Sequence, residues 1–516
     1  MKKKLIIGML LGASAIEANA ADYYVSPEGS DNNKGTIESP YATLTPVQSK
    51  VKPGDTVYFR GGTYKPTVEQ SMGERSSLYS CAFILEKSGE EGSPITYMAY
   101  PGEQPVFDMS GYLPEGKRIS VFYVNASWLH IRDLEVTGTK VMVNDGSNTQ
   151  SECFSNRGGS HNIYERLKMH DGEAIGWYLV KGGDNLVLNC DAWCNYDKAN
   201  GGGNTDGFGC HPAEGDTGNV LRGCRSWWNS DDGFDLIHAF ESVWIDNCWA
   251  FYNGYCPNEF KSAADGNGIK AGGYGMSETA RAPETIPSHK VTNCLAYYNK
   301  SGGLYSNHHL AGITWINNTA VYNRWNYNMT NRKSHTEAVD VNGYGHFLAN
   351  NVSFNPRDKD YYYLDLTLST LYNNTFGPVE MTLTDSDFVS VDAEQLIAER
   401  KSDGSLPDIS FMVPSAHSTI ADNQMGYTYV APTVEEVTEA ETAKTQWLMA
   451  PVIVVENEQA WIEGPGADLL SAFYANGVKL KVSKGKTDLS AAEGSKLKLR
   501  ALMSNGVVIT RTYYKQ

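Results

Sequence analysis

The sequence predicts an all-β chain built as a parallel β-helix, with a small β domain or cap at its C-terminal end. Three observations carry that prediction: a short repeat, alternating apolar runs inside each copy, and a turn-rich composition with 50 Gly and 31 Tyr in 516 residues. Cys190, Cys224, Cys248 and Cys294 each stand five residues before an Asn, at Asn195, Asn229, Asn253 and Asn299. A further copy runs from Asn318 to Asn323, and a degenerate one from Arg166 to Asp171. The copies end at 171, 195, 229, 253, 299 and 323, so a unit of 24 residues recurs with insertions of 10 and 22 in two places. Runs such as Val243-Trp244-Ile245-Asp246 alternate like strands and are followed by turn residues. Short strands at a fixed period describe coils stacked about 4.8 Å apart.

Read in order, Lys2, Lys3 and Lys4, an apolar run from Leu5 to Ile16, and Ala18-Asn19-Ala20 form an export signal over residues 1–20. The apolar run is too short to span a bilayer, so the mature chain is expected to be periplasmic or extracellular, without membrane insertion. Residues 21–430 are expected to form the solenoid, entered through Tyr23 to Pro27, a capping helix near Tyr41 to Val51, and Pro53 to Tyr64. The Asn column reads as an internal ladder that satisfies buried backbone groups, and the Cys column as small apolar filler. Residues 431–516 open on an acidic stretch with Glu435, Glu436, Glu439 and Glu441. They close on four strand-like runs with Asn-Gly turns at 476 and 505.

A second column breaks the purely structural pattern. Aligned on a Gly and an apolar residue, the coils give Asp206-Gly207-Phe208-Gly209, Asp232-Gly233-Phe234-Asp235, Asn267-Gly268-Ile269-Lys270 and Gly302-Gly303-Leu304-Tyr305. Asp206 and Asp232 become column-mates, Asp231 and Asp235 flank the second coil, and Lys270 stands above Asp235. Four converging carboxylates repel one another unless a hard cation offsets them, Ca2+ first, with Mg2+ or Mn2+ behind. The absence of His and Cys from the cluster argues against zinc. A dication and limited hydration would lower the Lys270 pKa and favour the neutral amine, a competent general base.

Asn-Thr-Asp at 204 to 206, Ser-Asp-Asp-Gly-Phe-Asp at 230 to 235 and Gly-Ile-Lys-Ala-Gly-Gly at 268 to 273 resemble polysaccharide lyase family 9. That resemblance implies a right-handed parallel β-helix, Ca2+ held by Asp206, Asp231, Asp232 and Asp235, and Lys270 as the base that takes the C5 proton of a galacturonate. It implies a substrate drawn from acidic pectic polysaccharides, homogalacturonan or rhamnogalacturonan I. His238, Tyr305, Asn307, His308, His309 and Arg324, on coils around the base, are candidates to line the groove. Two other readings stand beside it. A polygalacturonase-like inverting hydrolase would carry a Gly-His-Gly that is missing between the paired Asp and the Lys, and a carbohydrate-binding β-helix has no need of carboxylates beside a lysine. The formal charge of -17 argues against nucleic acid as a partner, and a monomer is expected.

Overall fold

The computed structural model describes residues 20–143, 149–274, 281–378, 381–416, 418–427, 452–463, 470–503 and 508–515. The export signal, but for Ala20, and the acidic stretch after Ala431 lie outside the described residues.

Three parallel sheets wind into one right-handed solenoid, and each coil adds a strand to each in turn. The coil of Trp244–Asp246, Trp249–Phe251 and Ile269–Lys270 is typical. Among the described residues the first sheet has 12 strands, from Asp22–Val25 to Thr370–Tyr372, and the second has 10, from Gly62–Tyr64 to Val352–Phe354. The third has 11, and its one antiparallel pair is a hairpin of Gly73–Arg75 with Tyr79–Leu85 at the entry end. Leu44, Val47 and Val51 are buried at that end, although the capping helix is a single turn, Thr45–Gln48.

The repeat is explained at the corners. Between the first and second sheets Asn189, Gly223, Asn247, Asn293 and Asn317 all adopt left-handed backbone, which Asn and Gly tolerate best, and the Cys or Asn that follows turns inward. Cys190, Cys224, Cys248 and Cys294 are fully buried, and all nine cysteines are free thiols. After the second sheet the amides of Asn195, Asn229, Asn253 and Asn299 donate in series to the next coil's Asn, the last to Asn323, over 3.0 to 3.3 Å. Each also donates to a backbone carbonyl of the preceding coil, as Asn253 Nδ2 does to that of Ser226 at 3.0 Å. The residue before each ladder Asn is left-handed too, and there it is Cys194, Trp228, Tyr252, Tyr298 and Tyr322, a costlier choice for bulky side chains that the interlocked ladder enforces.

Residues 381–427 run back along the outside of the second sheet. Leu396, Phe411, Ile420 and Tyr427 of this strap bury against Trp249, Leu295, Val321 and Phe354. Beyond it, among the described residues, eight antiparallel strands form two four-stranded sheets between Val452–Glu456 and Val508–Tyr514 around Ile462, Phe473, Leu497 and Leu499, and Tyr372 of the solenoid packs on that core. Among the described residues no helix is long and apolar enough to cross a membrane.

Candidate active site

The third sheet fixes the register of the carboxylate column. Phe208 pairs with Phe234 and Phe234 with Ile269, while Gly209 pairs with Asp235 and Asp235 with Lys270. The rings of Phe208 and Phe234 stack inside at 5.0 Å, so alternation turns Asp235 and Lys270 to the outer face. Lys270 Nζ lies 2.9 Å from Asp232 Oδ2 and 3.0 Å from Asp235 Oδ2. The remaining oxygens are held by the backbone: Asp232 Oδ1 accepts from the N–H of Asn267 at 2.6 Å, and Asp235 Oδ1 from that of Ile237 at 2.7 Å. Asn267 Nδ2 adds a second bond to Asp232 Oδ1 at 2.9 Å, and Asp206 Oδ1 accepts from the Asp232 N–H at 3.1 Å.

One oxygen each of Asp206, Asp232 and Asp235, all buried, lies within 4.8 Å of the others. Asp231 falls in an adjoining group with Asp232 and Asp265, and its Oδ1 accepts from the Asp265 N–H at 3.2 Å. Asp265 sits in the inserted segment after Asn253, outside the repeat register, so the motif spacing does not reveal it. Burial, then the neighbouring carboxylates, push Asp206 and Asp231 well above the usual carboxylate range, and Asp232 is raised for the same reasons despite Lys270. Lys270 itself departs from the sequence expectation. Burial pulls its pKa down, but Asp232, Asp235, Asp206 and Asp231 outweigh that and hold it well above the ordinary lysine range. The expectation of a neutral amine presumed a dication among these carboxylates; the carboxylates by themselves favour the ammonium.

That donor set fits a hard cation. Three buried carboxylates face one ammonium, and every available ligand atom is oxygen. The family model described as the Pel9A-like right-handed β-helix region matches residues 23–350. The chain belongs to polysaccharide lyase family 9. It is 33% identical to pectate lyase L of Dickeya chrysanthemi over 77% of this chain and 84% of the relative, and 30% identical to pectate lyase PEL9 of Emericella nidulans over 77% and 93%. Among solved structures, a rhamnogalacturonan lyase matches with 45% identity and a TM-score of 0.74, covering 79% of this chain and 99% of that one. Pectate lyase Pel9A matches with 30% identity and a TM-score of 0.60, over 77% and 90%. The chain is therefore a polysaccharide lyase, which separates it from the hydrolase and the binding-only readings.

Around the lyase's carboxylate column the groove candidates divide. Tyr305 pairs in register with Lys270, and its hydroxyl lies 3.0 Å from His308 Nδ1, while His308 Nε2 lies 3.1 Å from Asp340 Oδ1. His238 is exposed, and Arg324, with a side chain 58% exposed, spreads 4.3 Å over Trp325. Two candidates leave the groove. Asn307 is buried, its amide donating to the Gly272 carbonyl at 2.6 Å. His309 is fully buried, with Nδ1 accepting from the Gly273 N–H at 3.1 Å and Nε2 donating to the Pro287 carbonyl at 2.7 Å. Both ring nitrogens are spent on the backbone of a turn, so the imidazole is neutral and structural. The residue the spacing missed on the other flank is His211, half-buried with its Nε2 shut off from solvent, its pKa pushed down to about 4 by desolvation, and its Nδ1 3.2 Å from the Tyr178 hydroxyl.

The buried histidines imply a pH dependence of stability in this lyase. Burial pushes His309 down to about 4 and His346 to about 3, below the ordinary value near 6.5 that the unfolded chain keeps. Their contribution is complete above that ordinary value and is lost as pH falls towards the folded values, at about 1.4 kcal/mol per pH unit for each group. Melting temperatures recorded from pH 7 to pH 5 should fall, and a His309→Gln, His346→Gln double variant should show a shallower slope. An equal slope would assign the acid sensitivity to other groups.

Proposed function

We propose that this lyase cleaves a galacturonate-containing pectic backbone by β-elimination, dependent on Ca2+, as an exported monomer. The observation that carries the proposal is the lysine set 2.9 and 3.0 Å from two carboxylates of a buried, all-oxygen group. Asp206, Asp232 and Asp235 would hold the cation, with Asp231 beside them. Bound there, the cation would neutralise the sugar carboxylate, which acidifies the C5 hydrogen, and would offset the carboxylate charge that favours the Lys270 ammonium. Lys270, as the free amine, takes the C5 proton on the groove face of the sheet. The electron pair of that bond forms the C4–C5 double bond as the C4–O bond breaks; the C4–O pair leaves on the glycosidic oxygen, which takes up a proton to become the hydroxyl of the departing fragment, so no water is consumed. The backbone N–H groups of Asn267 and Ile237 hold Asp232 and Asp235 in place throughout. The rhamnogalacturonan lyase and pectate lyase relatives support both pectic backbones as candidate substrates.

The test is the ultraviolet absorbance of an unsaturated product on homogalacturonan and on rhamnogalacturonan I. Activity should vanish with chelator and return with added Ca2+. Unsaturated product formed at full rate in chelator would remove the metal from the proposal, and new reducing ends without the absorbance would overturn elimination.

A further inference from the structure

The outer face of the third sheet continues past Lys270 towards the entry end, where it carries two cationic side chains, Arg157 and Lys181. Gly209, between Tyr178 and Asp235 in register, carries no side chain, and a Cβ there would fall 2.6 Å from the Tyr178 ring, so the ring leans over the glycine towards the catalytic coils. On the far side of that ring stands Arg157. Its guanidinium lies 5.4 Å from the Tyr178 ring and 4.7 Å from the Tyr79 ring. Nη2 is committed to the buried carboxylate of Glu152 and, at 3.0 Å, to the Tyr79 hydroxyl. Among the described residues Arg157 Nε and Glu152 Oε2 make no hydrogen bond, and no bond engages Nη1, although the side chain keeps 14% of its surface exposed. Lys181, in register with Arg157 on the next coil, is exposed and makes no ion pair among the described residues.

The strands of Arg157 and Lys270 are four apart in the sheet, about 19 Å at the spacing of paired strands. A polysaccharide lying along the groove spans that distance with several sugars, and every uronate among them brings a carboxylate. On a chain of net charge -17, a rigid guanidinium held between two rings beside a free ammonium is a localised attraction for such a group.

We propose that Arg157 and Lys181, with Tyr178 as a flat wall, form a distal subsite that takes the carboxylate of a second uronate of the polysaccharide. This rests on the pectic lyase reading and adds the position at which chain length and uronate spacing are sensed. The subsite makes no contact with the reacting bond, so it acts through binding of longer chains.

The test compares kcat/KM on pectic oligosaccharides of increasing length for the parent, Lys181→Ala, and an Arg157→Met, Glu152→Gln double variant, which avoids leaving Glu152 buried without its partner. Charged hydrogen bonds of this kind change binding about tenfold. The rise in kcat/KM from short to long substrates should therefore shrink about tenfold in the double variant and by a smaller factor in Lys181→Ala. The same rise in both variants as in the parent, or an equal loss at every length, would overturn the subsite. Unchanged circular dichroism and melting temperature establish folding. A parent enzyme that makes no unsaturated product on any pectic backbone would remove the underlying function instead, a result distinct from either.

Discussion

Lys270→Ala should abolish elimination, lowering kcat by a factor of about 10² to 10⁴, the range over which a positioned general base contributes. The loss should appear in kcat, because the amine acts on the C5 proton and the uronate is held by other groups. Two features make the experiment decisive. Lys270 sits at the outer end of the carboxylate column, 2.9 Å from Asp232 and 3.0 Å from Asp235, so truncation exposes those oxygens without opening the apolar core beneath, where Phe208, Phe234 and Ile269 stack. In the presence of Ca2+ the fold, read by circular dichroism, should be unchanged. Lys270→Arg separates the base from a merely electrostatic role. Arginine keeps the positive charge among Asp206, Asp232 and Asp235 but does not surrender its proton, so it should be as inactive as alanine. Substantial turnover by Lys270→Arg would show that charge suffices and would sink Lys270 as the base.

What the sequence disclosed about this site follows from what repeats. The Asn at 195, 229, 253, 299 and 323 and the Cys at 190, 224, 248 and 294 are legible because each coil turns both corners through a left-handed residue and then buries the same kind of side chain, a Cys at one corner and an Asn amide at the other. Once that register is set, the stacking of Lys270 on Asp235 follows by counting, and the pairing agrees. Features outside the repeat carried no such signal. Asp265 reaches the carboxylates from an insertion with no register of its own. Asp231 shares a group with Asp232 and Asp265 and not with Asp206 and Asp235, a division that the column alignment does not show. His309 looked like a groove residue by position, and only the turn geometry shows both its nitrogens bound to backbone. The strap at 381–427 was hidden for another reason: its apolar residues match the surface it covers and have no period of their own.

That strap is anchored by one carboxylate, and Asp191→Ala should be the most destabilising single change in the solenoid's outer layer, by about 3 to 5 kcal/mol. Arg225 grips Asp191 with two bonds of 2.9 Å, and Arg400 of the strap grips the same carboxylate with bonds of 3.0 and 2.7 Å. The guanidinium groups are otherwise spent on carbonyls: Arg225 on Leu396 and Ala398, Arg400 on Cys190, Gly223 and Gly404. Removing Asp191 therefore leaves two buried cations facing each other with no anion between them. The two arginines overcome burial and hold Asp191 well below the usual carboxylate range. Its contribution is thus present above the ordinary Asp pKa near 3.9 and is lost only as pH falls below it. Because the strap lies on the second sheet and Lys270 on the third, the Asp191→Ala variant should lose denaturant resistance while keeping kcat near that of the parent at low temperature. Urea unfolding, with the strap's exposure followed by limited proteolysis near Arg400, measures both. A destabilisation under 1 kcal/mol would mean that the apolar contacts of Leu396, Phe411 and Ile420 hold the strap without the ion triad.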